Sequence, residues 1–350
     1  MNYFEAIPEI LIVETNLADF KWSYGLCMPK TTKAAFDNAL IKITLSVEKG
    51  NLWAGKELEE ITSKGKFHYF SADNDADELF YDRNFLFNSR FQYKLSGLTT
   101  NHIKMVVNKA YFKFVTHRFM NVHSVGYILT DIVNLKLLHN GLCPIHCSAV
   151  EHPEKGTTVI FAPPNTGKTL TSMKLCMDFG YMYMAEDLGL TDGENVYSVP
   201  WTSTFRYYSD IDQSWRSKLL SKLTDKISIV ELFGFGKIES IDKYIDSKQF
   251  QFKAKVADFA ILERGTGGIV RELSNEQLLF LIHTLDRYEF NYMRAPAVVA
   301  YSYFNPTVDI QAAQDAEVKI LRKMISNSSD AYLVRSNSAL DYFELIHNKS

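Results

Sequence analysis

The amino-acid sequence predicts an α/β fold that is preceded by a strand-rich α+β region. Residues 1–140 contain short stretches in which apolar and polar side chains alternate, as in strands with one buried face. From Pro144 onward, short apolar runs alternate with helical segments, which is the order found in α/β sheets. At 350 residues the chain is long for one compact core. We therefore predict a strand-rich accessory region at 1–140 and an α/β domain at 141–350.

The accessory region is predicted to contain a series of strands followed by one long helix. The candidate strands are residues 9–14, 39–47, 66–70, 79–87, 91–95 and 103–114. Apolar residues at helical spacing predict a helix at 122–138, which should end at Asn140 and Gly141 because glycine is common just after a helix. This apolar stripe is interpreted as core.

The second region begins with two strands and a helix. Strands are predicted at 145–150 and 157–161, a helix at 170–179 and a strand at 181–185. Further along, helices are predicted at 213–223, 275–285 and 311–326, and strands at 227–232 and 257–263. No internal repeat is visible.

Residues 162–169, APPNTGKT, match the phosphate-loop pattern G-x-x-x-x-G-K-[ST] except at the first position, which is Ala162. Backbone N–H groups and the N-terminus of the next helix can wrap a phosphate, and Gly167 permits close approach. Lys168 is predicted to reach the β and γ phosphates, and the Thr169 hydroxyl to hold Mg²⁺. The alternative is a chance turn, but an apolar strand before and a helix after favour a nucleotide site. The predicted ligand is ATP with Mg²⁺, bound by Pro164, Asn165, Thr166, Gly167, Lys168, Thr169 and Leu170.

Glu186 and Asp187 follow the strand predicted after the loop helix. Ligands of open α/β sheets gather at the carboxyl ends of strands, so these acids are expected to face Thr169. One carboxylate would coordinate Mg²⁺ and the other would take the proton of an attacking hydroxyl. The alternative is a helix cap or a solvated turn.

His146 lies on the apolar strand that precedes the loop strand. A single histidine on such a strand is usually a satisfied core residue. If it approaches the phosphates, it would act as an imidazolium beside the transferred group or would orient a carboxylate. Both interpretations stay open at this stage.

These features in this order resemble the HPr kinase/phosphorylase-like kinases, whose core is related to phosphoenolpyruvate carboxykinase. The resemblance covers residues 141–190: PIHCSAV from Pro144, the loop, and GYMYMAEDLGL from Gly180. It implies an ATP-dependent kinase with His146 as the family histidine, Glu186 as the proton acceptor and Asp187 as the metal-binding acid. The chain departs from the family at Glu186, where an aspartate is usual, and at Ala162.

Contacts with the substrate are predicted at two further places. The stretch ILERGTGG at 261–268 ends a strand with Glu263 and Arg264 and continues into a glycine-rich loop, which would bring Glu263 or Arg264 to the phosphates. An ordinary turn explains it equally well. Trp201, Thr202 and Arg206 follow the acid pair and are also candidates, although packing explains a tryptophan as readily.

The predicted function is phosphoryl transfer from ATP to a hydroxyl of a small molecule, a glycan precursor or a peptide. The alternatives are a nucleotide-binding regulator without transfer and a carboxykinase-type enzyme. A formal charge of −3 gives no case for a nucleic-acid partner. The sequence shows no signal peptide, membrane-spanning run or CxxC pair, which predicts a cytoplasmic protein without a zinc site. A homo-oligomer is left open.

Overall fold

The computed structural model describes residues 1–53, 68–71, 77–85, 89–118, 121–202, 245–266 and 269–349. Within these ranges the protein is mixed α/β, with strands in two mixed sheets and helices packed against them. The α/β class predicted from the sequence is therefore confirmed. The helix predicted at 213–223 and the strand predicted at 227–232 lie outside the described residues.

The first sheet is built from the N-terminal strands in the order β1-β2-β3-β7-β6-β5-β4. Strands β2, β3 and β7 run parallel, and the other pairs are antiparallel. Helix α1 connects β2 with β3, and α2 follows β7. The elements are β1 (Asn2–Ile7), β2 (Leu11–Thr15), α1 (Lys33–Asn38), β3 (Ile41–Glu48), β4 (Tyr69–Phe70), β5 (Glu78–Asn84), β6 (Arg90–Ser96), β7 (His102–Asn108) and α2 (Lys109–Phe114).

Local hydrogen bonding explains where the predicted strands were wrong. The strand predicted at 103–114 stops at Asn108, because the Asn108 side chain accepts a hydrogen bond from the Tyr111 backbone N–H at 2.9 Å and caps α2. The edge strand β1 was missed, and its partner β2 begins two residues later than predicted. The strands themselves alternate as expected, with Ile41 and Ile43 of β3 fully buried.

Helix α3 (Val125–His139) confirms the helix predicted at 122–138. It is buried on nearly all sides, including its polar Asp131, Asn134 and Lys136. The chain leaves the helix through Gly141 at φ 76°, which is the predicted glycine end. One hydrophobic cluster contains side chains of both sheets and of α3. The change of sheet coincides with the predicted boundary near residue 141, and the division into two domains stays a prediction.

The second sheet has the order β11-β9-β10-β14-β13-β12-β8, with β16 paired to β14 and β15 paired to β16. Helices α5 to α8 follow in the last part of the chain. The elements are β8 (Cys143–Ile145), β9 (Ser148–His152), β10 (Gly156–Phe161), α4 (Lys168–Phe179), β11 (Met182–Ala185), β12 (Gly189–Thr191), β13 (Asn195–Ser198), β14 (Lys253–Arg264), β15 (Ile269–Glu272), α5 (Asn275–Glu289), α6 (Pro296–Phe304), α7 (Ile310–Asn327), β16 (Asp330–Ser336) and α8 (Tyr342–Lys349).

Strand directions bring several chain segments to one edge of this sheet. β10 is parallel to β14, and β14 is parallel to β16. β9 runs antiparallel to β10 and to β11, so the start of β9 meets the ends of the other two. The segments before β9 and after β10, β11, β14 and β16 therefore share this edge, which we call the carboxyl edge. β9 separates β11 from β10.

No helix in the described ranges is both long enough and apolar enough to cross a lipid bilayer. The four cysteines, all within the described ranges, form no disulfide, and Cys143, Cys147 and Cys176 are buried.

Candidate functional site

The strand–loop–helix unit that the phosphate-loop motif predicts is present. β10 ends at Phe161, the loop occupies residues 162–167, and α4 begins at Lys168. Two loop residues adopt positive φ, Asn165 at 59° and Gly167 at 120°. Asparagine tolerates the left-handed region better than most residues, whereas a φ of 120° favours glycine. Gly167 is also the N-cap of α4, and it has no side chain to occupy the first N–H groups of the helix.

Close packing gives a second reason for glycine at position 167. A Cβ placed on Gly167 would lie 2.9 Å from the Cβ of Ala339, in the segment that leads into α8. The Tyr342 ring lies near the same point. The C-terminal segment thus supports the loop from one side, a contact that the motif could not indicate.

Lys168 is buried and its ammonium group is held inside the loop. Its Nζ atom lies 2.7 Å from His146 Nε2 and donates to the carbonyl oxygen of Ala162 at 3.2 Å. Burial lowers the pKa of Lys168, while the carboxylates of Asp187, Glu289 and Glu186 act in the opposite direction. Three carboxylates therefore lie within electrostatic reach of this lysine.

His146 occupies a break between two strands, at the carboxyl edge. The predicted strand at 145–150 is divided into β8 and β9, which belong to different parts of the second sheet. The backbone N–H of His146 donates to Asp286 Oδ1 at 2.9 Å, so the break is held by a carboxyl of α5. The side chain is 6% exposed and faces Lys168 with one ring nitrogen.

The environment of His146 favours the neutral ring. Burial and the neighbouring Lys168 ammonium lower its pKa to about 4, although Asp187 acts in the opposite direction. These surroundings disfavour the imidazolium form in this conformation, and both roles considered from the sequence stay predictions. His146 Nδ1 lies 3.7 Å from Asp187 Oδ1.

Glu186 and Asp187 lie at the end of β11, on the same edge as the loop, but in different surroundings. Glu186 is 4% exposed, and its backbone carbonyl accepts a hydrogen bond from the Thr202 hydroxyl at 3.0 Å. The Asp187 side chain is 61% exposed, and its backbone has a φ of 74°. An aspartate held in the left-handed region is uncommon and often marks a functional turn.

Helix α5 contributes two carboxyl groups that the sequence reasoning missed. Asp286 is fully buried, and burial raises its pKa well above the usual range. Glu289, one helical turn later, has its Oε2 atom 4.0 Å from His146 Nδ1 and is 43% exposed. Burial and the Asp187 carboxylate raise the pKa of Glu289. Asp286 and Glu289 are about 140 residues from His146 in sequence. Their spacing of three residues could have placed them on one helix face, but it could not have placed them beside His146.

The predicted substrate residues are distributed around the site. Glu263 and Arg264 end β14 at the carboxyl edge, where Glu263 forms an ion pair with Arg335 of β16 at 2.5 Å. Thr202 is buried, and its hydroxyl donates to the carbonyls of Glu186 and Val199, so it orients the acid-bearing turn. The Trp201 carbonyl accepts a hydrogen bond from the Leu26 backbone of the first region. Arg206 lies outside the described residues.

The predicted metal ligands do not form a metal site by themselves. Within the described ranges, no group of three or more histidine, cysteine, aspartate or glutamate side chains could hold a metal ion. Mg²⁺ at phosphate sites usually takes one or two protein ligands together with phosphate oxygens and water. Thr169 in the first turn of α4 and the exposed Asp187 carboxylate fit that pattern.

Comparison with models of known protein families finds no match for this chain, and a search among curated proteins finds no significant relative.

Proposed function

We propose that this protein is an ATP-dependent kinase that transfers the γ-phosphate of ATP to a hydroxyl group, on a P-loop core of the HPr kinase-like type. The observation that carries the proposal is that Lys168, His146 and Asp187 meet at the carboxyl edge. Lys168 Nζ lies 2.7 Å from His146 Nε2, and His146 Nδ1 lies 3.7 Å from Asp187 Oδ1. They come from three separate segments of the chain. A chance turn with a Gly-Lys-Thr sequence would not require such convergence.

Each part of the site has a role in phosphoryl transfer. The loop amides and Lys168 would bind the β and γ phosphates, and Thr169 with Asp187 would hold Mg²⁺. Bound Mg²⁺ supplies neutralisation of the phosphate charge. The acceptor oxygen forms a bond to the γ phosphorus, the bond to the β,γ-bridging oxygen breaks, ADP leaves, and the hydroxyl proton passes to Glu186. The proposed compartment is the cytoplasm, in line with four cysteines that form no disulfide.

Two other functions receive less support. A nucleotide-binding regulator would need the loop but not the several carboxylates that surround Lys168. A carboxykinase-type enzyme would need an arginine-rich pocket for its oxo acid. Arg118, which acts electrostatically on Glu289, is already paired with Asp131 at 3.0 Å.

Replacing Lys168 with alanine tests the proposal directly. The change removes charge-assisted hydrogen bonds to phosphate, and we expect MgATP affinity to fall about 10- to 100-fold in calorimetry. Lys174→Ala is the matched control, because Lys174 belongs to the same helix but pairs with Asp178 on the surface. Equal affinities of the Lys168→Ala and Lys174→Ala variants would refute the assignment of the loop.

A further inference from the structure

The ammonium group of Lys168 is held by two acceptors of the protein itself. An ammonium has three N–H donors and no acceptor. One N–H is donated to His146 Nε2 at 2.7 Å and another to the carbonyl oxygen of Ala162 at 3.2 Å, which leaves the third for a phosphate oxygen. A lysine side chain that is already held in place loses little rotamer freedom on binding, and that loss would otherwise weaken affinity. The conformation of Lys168 therefore depends on where the His146 ring lies.

The backbone of His146 lies outside the pairing of the second sheet. β8 ends at Ile145 and β9 begins at Ser148, so His146 belongs to neither strand. The residue pairs of β8 with β12 and of β9 with β10 do not include it. Its N–H instead donates to Asp286 Oδ1 of α5 at 2.9 Å. Asp286 thus supplies the acceptor that a neighbouring strand supplies elsewhere in the sheet.

Asp286 is a costly acceptor for a single backbone N–H. It is buried, and its second oxygen, Oδ2, has no hydrogen-bond partner among the residues that the structure describes. A buried polar atom without a partner lowers stability, so stability alone does not explain an aspartate here. The helix that carries it is firmly placed, because Arg287, the next residue, pairs with Glu317 of α7 at 3.1 Å. A side chain on such a helix can fix the position of a neighbouring segment.

The connection from Asp286 to Lys168 is one of position. Burial lowers the pKa of Lys168, and the carboxylates that oppose this shift most strongly are the three described above, which do not include Asp286. The path between the two residues consists of hydrogen bonds. Asp286 holds the His146 backbone, and the His146 ring holds the Lys168 ammonium.

We propose that Asp286 is a positioning residue for phosphate binding. Through the backbone of His146 it fixes the ring, and the ring orients the Lys168 ammonium for the β and γ phosphates. The inference rests on the proposed kinase function, which assigns Lys168 to these phosphates. A change at Asp286 should therefore alter MgATP affinity, although its own hydrogen bond is to His146.

Replacements of Asp286 test the inference by calorimetry of MgATP. Asp286→Leu has a similar branched shape but no acceptor, and we expect the affinity to fall about tenfold. Asp286→Asn retains an acceptor oxygen and should keep most of the affinity. His146→Ala should by itself lower the affinity about tenfold. In the Lys168→Ala background, adding Asp286→Leu should lower the affinity by no more than about twofold, because the lysine on which it acts is gone.

The outcomes separate this inference from the kinase proposal. If the wild-type protein does not bind MgATP, the kinase function itself is overturned. If it binds, unchanged affinity in Asp286→Leu or in His146→Ala would overturn the positioning role, and so would equal losses in Asp286→Leu and Asp286→Asn. A tenfold loss from Asp286→Leu that persists without Lys168 would indicate general damage to the loop and would also overturn it. Urea denaturation shows which variants fold, and the result for His146→Ala decides the question if Asp286→Leu does not.

Discussion

Within the phosphate loop, the structure predicts the largest loss of stability for Gly167→Ala, which adds a single methyl group. Alanine there must adopt a φ of 120°, a region that L-residues rarely occupy. Holding a residue in such a conformation costs about 1–3 kcal/mol. The new Cβ would also lie 2.9 Å from the Ala339 Cβ, and overpacking of this kind costs about 1–3 kcal/mol. We expect Gly167→Ala to lower the free energy of unfolding by roughly 2–6 kcal/mol.

Gly180 provides the control on the same helix. It follows the C-terminus of α4 at a φ of 71°, and a Cβ there meets nothing within 4 Å. Gly180→Ala therefore carries only the cost of the left-handed conformation, about 1–2 kcal/mol. Urea denaturation gives the free energy of unfolding of both variants. The difference between their losses of stability reports the contact between the loop and the segment before α8.

The effect should extend to nucleotide binding. Relief of the Ala339 contact requires the loop backbone to shift, so MgATP affinity should fall in Gly167→Ala but not in Gly180→Ala. Equal losses of stability in the two variants, together with normal MgATP binding by Gly167→Ala, would refute the reasoning. That result would mean that the loop is not supported by the C-terminal segment.

Three further predictions test other parts of the molecule. Glu186→Gln should leave MgATP bound but lower transfer by about 100-fold or more, and full transfer would remove Glu186 as the proton acceptor. Glu317→Ala should lower the free energy of unfolding in urea by about 2–3 kcal/mol. Buried Glu317 accepts a hydrogen bond from the Tyr292 hydroxyl at 2.6 Å and forms an ion pair with Arg287 of α5. A loss below about 0.5 kcal/mol would contradict this. Burial acts to raise the pKa of Asp192, but hydrogen bonds from the following backbone and the Tyr197 hydroxyl outweigh it and lower the pKa to about 2. Because the folded pKa is below the unfolded value of about 3.9, this stabilisation is present above pH 4 and lost towards pH 2, and Asp192→Asn should flatten the acid side of the stability profile. An unchanged profile would exclude Asp192 as a source of that loss.

The phosphate loop could be predicted from the sequence because its determinants are local. A strand, a six-residue loop ending in glycine and a helix starting at lysine are all encoded within residues 156–179. The positions of Glu186 and Asp187 at the same edge also followed from the rule that strand ends gather there. The strand order did not follow, because β9 pairs with both β10 and β11, and nothing in a single sequence selects one pairing partner over another.

Further elements differ from the prediction because of contacts that the apolar pattern does not show. The strand predicted to run to residue 114 ended at Asn108, where a side-chain cap outweighed the apolar pattern. The last strand, β16, and helix α8 were missed, although α8 and the segment before it support the loop.

The sequence by itself determined the α/β class and the loop with its lysine, because both depend on residues that are neighbours in the chain. Only the tertiary structure decided what surrounds that lysine. Asp286 and Glu289 reach His146 across a long stretch of chain, and their contacts exist because α5 packs at the carboxyl edge of the second sheet. Contacts between distant segments depend on how whole helices and strands pack, and a local sequence pattern does not determine that packing.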